Sequence, residues 1–320
     1  MRQDPPRNAA ASVKGRLLQS AREQREEFQN VLTRYAVERF LYRLSRSAYR
    51  RQFILKGANL FTLWLGAAHR STRDLDFLGY GSEDIGPTVT AFQEICRQSV
   101  EEDGLVFEAE SVKGAAVRES ENYAGLRVTL QAMLGKAVIP LQIDIGFGDV
   151  ITPAAQEAEM PSSLGTPRAR LLTYSRETVV AEKTEAMIDL GLGNSRLKDF
   201  YDLWFLATQF DFEGLLLCQA LAATFRRRGT MISALPPPAL TAPFYADASR
   251  SRQWQSFLEK SGLPTDASIA LDECTDLIRA FLLPPLQAVR DEAGLEALWQ
   301  HEDRLWQEKA TVQAEEAMDD

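Results

Sequence analysis

Between residues 11 and 47 the apolar positions Leu17, Leu18, Phe28, Val31, Leu32, Tyr35, Ala36, Phe40, Leu41 and Leu44 recur mostly at intervals of three and four. That spacing gathers them on one face of a 3.6-residue helix and predicts amphipathic helix. From Gln52 the texture changes to short apolar runs broken by glycine and charge, as expected for a sheet with interspersed helices. Phe53-Ile54-Leu55 leads into Lys56-Gly57, and residues 59–65 read as helix. Asp74-Leu75-Asp76-Phe77-Leu78 alternates polar with apolar, the mark of a half-buried strand. Helical period returns over residues 88–101, and residues 107–112, 125–130 and 138–145 read as strands. This order predicts a mixed α/β domain of about a hundred residues.

Pro153, Pro161 and Pro167, with Ser162, Ser163 and Gly165 between them, mark a connecting segment. Beyond it residues 177–190, 199–208 and 212–228 look helical, residues 234–243 form a Pro-rich linker, and residues 254–260 and 271–283 continue the helical character. The domain plan is therefore an N-terminal helical arm (1–51), an α/β core (52–152), a connection (153–174) and a helical C-terminal domain with an acidic terminal helix or tail (175–320).

Composition narrows the function classes. The chain has 320 residues, 45% hydrophobic and 25% charged, which excludes disorder and collagen-like repetition. Its net charge is -9, unfavourable for a protein that coats nucleic acid over most of its surface. The charge is uneven: residues 1–51 carry twelve Lys+Arg against five Asp+Glu. Arg34, Arg39, Arg43 and Arg46 read either as a solvated helical face or as contacts to an RNA backbone. His69 and His301 are too few for a His-based metal cage, so catalysis must run on carboxylates, Lys, Arg and hydroxyls. Cys96, Cys218 and Cys274 are widely spaced and read as inert thiols in a reducing compartment. With no apolar signal core and no run of about 18 uncharged apolar residues, a cytoplasmic protein outside the membrane is expected.

Asp74 and Asp76 are two apart in a strand, so the pleat sets both carboxylates on one face. Oxygen-only ligands suit Mg²⁺, although acid pairs at this spacing also occur on exposed strands without function. Asp144 stands between Ile143 and Ile145, which suggests a largely buried strand where an ionised Asp is paired or metal-bound. Three such carboxylates could hold two Mg²⁺ ions for in-line displacement at phosphorus. Lys56-Gly57-Ala58 sits at a strand-to-helix junction able to approach phosphate oxygens. Arg70 and Arg73 either join that neighbourhood or balance the Asp residues. Lys183, amid Val179, Val180, Ala181, Met187 and Ile188, carries an ammonium aimed inward. Asp199 and Asp202, three apart, share a helical face near Arg196 and Lys198, as site residues or as ordinary helix ion pairs.

These clusters in this order resemble the nucleotidyltransferase toxins of the AbiEii/AbiGii family, the toxin half of bacterial abortive-infection (type IV) toxin-antitoxin systems. The resemblance runs from about Tyr35 to Phe281. It is carried by Tyr35-Ala36-Val37-Glu38-Arg39-Phe40, Phe53-Ile54-Leu55-Lys56-Gly57-Ala58, Arg70-Ser71-Thr72-Arg73-Asp74-Leu75-Asp76, Ile143-Asp144-Ile145-Gly146-Phe147-Gly148-Asp149, Glu177 to Lys183, and Ser195-Arg196-Leu197-Lys198-Asp199-Phe200-Tyr201-Asp202. It implies an α+β fold with a polymerase-beta-like nucleotidyltransferase core, a mixed sheet, N-terminal helices and a helical C-terminal domain closing over the nucleotide. By the same resemblance Asp74, Asp76 and Asp144 would hold Mg²⁺, Lys183 would contact the triphosphate, and Asp199 or Asp202 would complete the site. Lys56, Gly57, Ala58, Arg70, Arg73, Lys183, Arg196 and Lys198 are the candidate nucleotide-binding residues. Ala58 departs from the Gly or Ser that the broader superfamily prefers after the turn glycine.

The reaction expected is transfer of a nucleoside monophosphate from an NTP to an RNA, the tRNA 3′ end, with a cognate antitoxin encoded nearby. Asp144 is the candidate acceptor of the hydroxyl proton. Alternatives are the same chemistry on a small molecule or a protein hydroxyl, and a catalytically silent nucleotide- or partner-binding module. An RNA acceptor calls for a basic groove beside Asp74 and Asp76, a small-molecule acceptor for a closed acidic pocket.

Overall fold

The structure is a computed structural model that describes residues 9–66, 74–120, 123–261 and 269–308. Its contacts divide the chain into two units, one of residues Met1–Asp149 with Ala154–Tyr174, the other of Val150–Pro153 with Ser175–Asp320.

The first unit is organised by a sheet whose strands alternate as the hydrophobic pattern requires. In β5 (Ala137–Phe147) the side chains of Ile139, Leu141, Ile143, Ile145 and Phe147 are buried, while Gln142, Asp144 and Gly146 on the other face are half-open. One face of the strand is therefore fully covered and the other only partly, because period-two alternation sends both isoleucines beside Asp144 to the opposite side from it. With β1 (Phe53–Lys56), β2 (Asp74–Gly79), β3 (Leu105–Ser120), β4 (Tyr123–Leu134), β6 (Gln156–Glu159) and β7 (Arg170–Thr173) it forms a seven-stranded sheet of order β3-β4-β5-β2-β1-β7-β6. The sheet is mixed: β5 runs parallel to β2 and β1 parallel to β7, the other pairs being antiparallel. Strands β6 and β7 come from the stretch read as a plain connection.

Helices α1 (Ala9–Gln24), α2 (Phe28–Arg46), α3 (Asn59–Leu65) and α4 (Ile85–Cys96) complete this unit. Phe40 of α2 and Phe92 of α4 stack at 5.8 Å, and Phe92 meets Phe53 of β1 edge-on at 5.1 Å. Phe53 in turn touches Phe77 of β2, and Phe40 touches Phe107 of β3. Each such ring contributes roughly 1.5–3 kcal/mol by its burial, so α2 belongs to the core of this unit rather than to a separate arm.

That placement overturns both readings of Arg39 and Arg43. Arg39 is fully buried and donates from Nε to Asp103 at 2.9 Å, and Arg43 reaches both Asp103 oxygens at 2.6 and 3.1 Å. Burial alone would raise the Asp103 carboxyl, but the two guanidiniums outweigh it and hold the group below the usual carboxylate range. Arg39 also donates to the Pro167 carbonyl at 2.7 Å, and Glu38 accepts from Ser163 and Thr166, which fixes the chain before β7 onto α2.

The second unit is mainly helical. Ser175 caps α5 (Arg176–Leu190) by accepting from the Thr178 N–H. It is followed by α6 (Leu197–Gln209), the short β8 (Phe212–Glu213), α7 (Gly214–Arg228), α8 (Ala242–Tyr245), α9 (Ala248–Lys260) and α10 (Leu271–Arg290). The helix expected to stop at residue 283 runs on through Pro284 and Pro285. Pro285 has no N–H for the Phe281 carbonyl four residues earlier, and the Trp306 indole N–H donates to that oxygen at 2.9 Å instead. Trp306 lies in β10 (Leu305–Glu308), which with β9 (Ala297–Gln300) and β8 forms a three-stranded antiparallel sheet. Strand therefore replaces the start of the expected acidic terminal helix, and residues 309–320 lie outside the described residues. Among the described residues no helix is long and apolar enough to cross a membrane.

Candidate active site

In the first unit the register of four strands sets four charged residues in one row. Lys56 of β1 is opposite Asp76 of β2, Asp76 is beside Asp144 of β5, and Asp144 is opposite Arg127 of β4. In-register partners share a face of the sheet, with neighbouring strands roughly 4.8 Å apart. Two anions thus lie side by side, flanked by a cation at each end. Asp74, on the same face one row on, is beside Gln142, whose amide donates to its Oδ1 at 3.0 Å.

The row is finished by particular contacts. Arg127 donates from Nε and Nη2 to the two oxygens of Asp144 at 2.7 and 2.8 Å. Lys56 pairs with Asp149 at 3.2 Å, and its ammonium would lie 3.6 Å from a Cβ added to Gly146. Gly57, at φ +74°, follows directly. A Cβ there would meet Asp76 Oδ2 at 2.1 Å, so the glycine is needed to admit the Asp76 carboxylate. The strand-to-helix junction read at Lys56-Gly57-Ala58 is present, with the seven-residue α3 beginning at Asn59. Arg70 and Arg73 lie outside the described residues.

In the second unit, Lys183 of α5 donates to Asp199 Oδ1 at 2.6 Å and to Asp202 Oδ2 at 2.8 Å, both on α6. The two carboxylates share one face of α6, as their spacing required. Arg196 adds an ion pair to Asp199 Oδ2 at 2.8 Å, and Lys198 is exposed. Burial of Asp199 would raise its carboxyl, but Lys183 and Arg196 prevail over that and over the charge of Asp202, holding it below the usual range. One network thus unites Lys183, Arg196, Asp199 and Asp202.

The family model described as nucleotidyl transferase AbiEii toxin, type IV TA system, matches residues 39–282. The chain belongs to this AbiEii family. It is a nucleotidyltransferase with a nucleoside triphosphate as substrate, and a toxin of the type IV toxin-antitoxin class, which implies a cognate antitoxin. Among solved structures it is similar to a Helicobacter pylori protein described as a candidate nucleotidyltransferase, at 15% identity over 82% of this chain and 96% of that one, TM-score 0.44. It is also similar to JHP933 from Helicobacter pylori, at 13% identity over 79% and 89% of the two chains, TM-score 0.43. No curated protein matches the chain.

Nucleotidyl transfer by such enzymes generally uses a divalent cation, and the acid row can be tested for its fit. Asp74, Asp76 and Asp144 offer oxygen alone, the donors of a hard cation, and Gly57 leaves room at Asp76. The set fits, with Asp144 engaged by Arg127; among the described residues no group of three acidic, His or Cys side chains forms a ready metal cluster. The sequence assigned no site role to Arg127, Asp149 or Gln142, although Asp149 closes one of the runs quoted above. A signal for Arg127 exists: Gly135-Lys136 reads as a two-residue hairpin turn, and Arg127 and Asp144 stand equally far from it on the two strands.

Proposed function

We propose that the chain transfers a nucleoside monophosphate from an NTP to the 3′ hydroxyl of an RNA, tRNA being the acceptor, with Mg²⁺ held by Asp74, Asp76 and Asp144. The observation that carries this reading is the in-register pair Asp76 and Asp144 within the charged row, in a chain of the AbiEii family. The acceptor oxygen bonds to the α-phosphorus, the bond from that phosphorus to the bridging oxygen breaks, and pyrophosphate leaves with the electron pair. The hydroxyl proton passes to a carboxylate of the row, Asp144 being the candidate. Asp74, Asp76 and Asp144 would hold the divalent cations, which would supply charge neutralisation at the reacting phosphate.

The remaining residues orient and bind. Lys56, Gly57 and Ala58 flank Asp76, and Lys183 is the candidate triphosphate contact, its ammonium fixed by two carboxylates. Arg196, through Asp199, and exposed Lys198 lie on the same helix segment, and either Asp199 or Asp202 serves the reaction while the other holds Lys183. Arg70 and Arg73 keep the role of nucleotide-binding candidates. The protein works in the cytoplasm, with its antitoxin encoded nearby.

The test is incubation of the purified protein with Mg²⁺, each labelled NTP and total tRNA, beside Asp76→Ala. Label on RNA 3′ ends from at least one NTP, lost in the variant, is expected. No transfer to RNA from any NTP, or equal transfer by the variant, would overturn the reading. Label on a small molecule or protein when extract replaces tRNA would move the acceptor to that class.

A further inference from the structure

We propose that Arg127 competes with the divalent cation for Asp144, so that cation binding at the acid row requires Arg127 to release that carboxylate. The inference rests on the reading of Asp74, Asp76 and Asp144 as cation ligands. Three observations point to it. Arg127 takes both oxygens of Asp144, at 2.7 and 2.8 Å, a two-point contact that is among the stronger charge-assisted geometries. The contact is built into the backbone, since the β4–β5 hairpin sets the two residues directly opposite each other. Finally, the Arg127 side chain is 41% exposed against 16% for Asp144, so the guanidinium has a path into solvent while the carboxylate stays in the row beside Asp76. A guanidinium and a divalent cation repel each other at this range, and one carboxylate serves either of them better than both. Arg127 thereby offsets the repulsion between Asp76 and Asp144 and sets the cation affinity of the site.

The test is Mn²⁺ binding to the full chain without nucleotide, followed by electron paramagnetic resonance of the free ion. Wild type, Arg127→Gln, Arg127→Lys, Asp144→Asn, the Arg127→Gln/Asp144→Asn double variant and Asp76→Ala are compared, with circular dichroism to confirm folding. Arg127→Gln is expected to bind about tenfold tighter, which is about 1.4 kcal/mol. Arg127→Lys falls between, because it keeps the charge without the two-point contact, and it carries the comparison if the Gln variant does not fold. The gain is expected to vanish in the Asp144→Asn background. Unchanged or weaker binding by Arg127→Gln, or an equal gain with Asp144 already removed, overturns the competition. Mn²⁺ binding that is insensitive to Asp76→Ala would instead overturn the acid row as a cation site, and the competition with it.

Discussion

Replacing Lys183 by Met separates the structural from the catalytic work of that residue. Lys183 holds Asp199 and Asp202 at 2.6 and 2.8 Å, and those carboxylate side chains are 3% and 0% exposed. Arg196 remains on Asp199 in the variant, so that carboxylate keeps one cation while both carboxylates lose the ammonium. Removing one partner of a buried pair costs about 3–5 kcal/mol. For a unit of this size that lowers the melting temperature by roughly 6–20 °C. Four of the five tryptophans, Trp204, Trp254, Trp299 and Trp306, lie in the second unit, so tryptophan emission during urea unfolding reports on it. The triple variant Lys183→Met/Asp199→Asn/Asp202→Asn removes the two buried anions together with the cation and is expected to recover most of the loss while staying inactive. The pH dependence has a defined sign. Asp199 is depressed in the folded chain, so its stabilisation is complete above the ordinary carboxylate value of about 4 and disappears as pH falls through the folded value. In Lys183→Met the Lys183 share of that stabilisation is absent at every pH, so the gap to wild type narrows on acidification. A single variant within about 1 kcal/mol of wild type at neutral pH, or a triple variant no more stable than the single, would refute the reasoning.

Gly57→Ala combines left-handed backbone strain of about 1–2 kcal/mol with a Cβ at 2.1 Å from Asp76, and should abolish label transfer in a chain that circular dichroism shows folded. Gly66→Ala, with a similar φ of +72° but no atom within 4 Å of the added Cβ, should pay the strain and retain transfer. Asp103→Asn leaves Arg39 and Arg43 buried without their shared anion and should cost about 3–5 kcal/mol at neutral pH by thermal melting. Because Asp103 is depressed in wild type, that contribution is lost as pH falls through its folded value, and the variant should lack this acid-dependent component.

How much of this was legible depended on whether a feature is local. The Asp74-to-Leu78 alternation places β2 and puts both its carboxylates on one face, and that much needs no partner strand. The junction at Gly57 is likewise local, although the reason for the glycine, contact with Asp76, appears only when β1 lies against β2. Asp144 was read as paired or metal-bound, and the paired form is present, but its partner lies on another strand and depends on hairpin register. Arg39 and Arg43 were misread because a buried arginine and a solvated one have the same local pattern, and Asp103, which decides the matter, is some 60 residues away. The end of α10 was misplaced for the same reason: two prolines are a stop signal unless a side chain remote in sequence satisfies the freed carbonyl, as Trp306 does. The family model ends at residue 282, before that tryptophan.

These cases share a constraint that also limits what the net charge of -9 can say. Charges taken from water are costly unless compensated, so they enter the fold in sets that carry both signs. Lys183 and Arg196 face Asp199 and Asp202. Arg39 and Arg43 stand with Asp103 and Glu38 on and beside α2, and the row across the sheet has two cations outside two anions. The two helical sets are neutral, whereas the sheet site, with Asp74 and Asp149 counted beside Asp76 and Asp144, has four carboxylates against Lys56 and Arg127. The total of -9 therefore averages over sets of different local balance, and at the acid row the nearest charges decide. It follows that a single charge change in any of the three sets acts where compensation is short-range and should exceed the effect of the same change on an exposed side chain. Paired neutralisation, which removes one cation and one anion together, should cost less than either change alone.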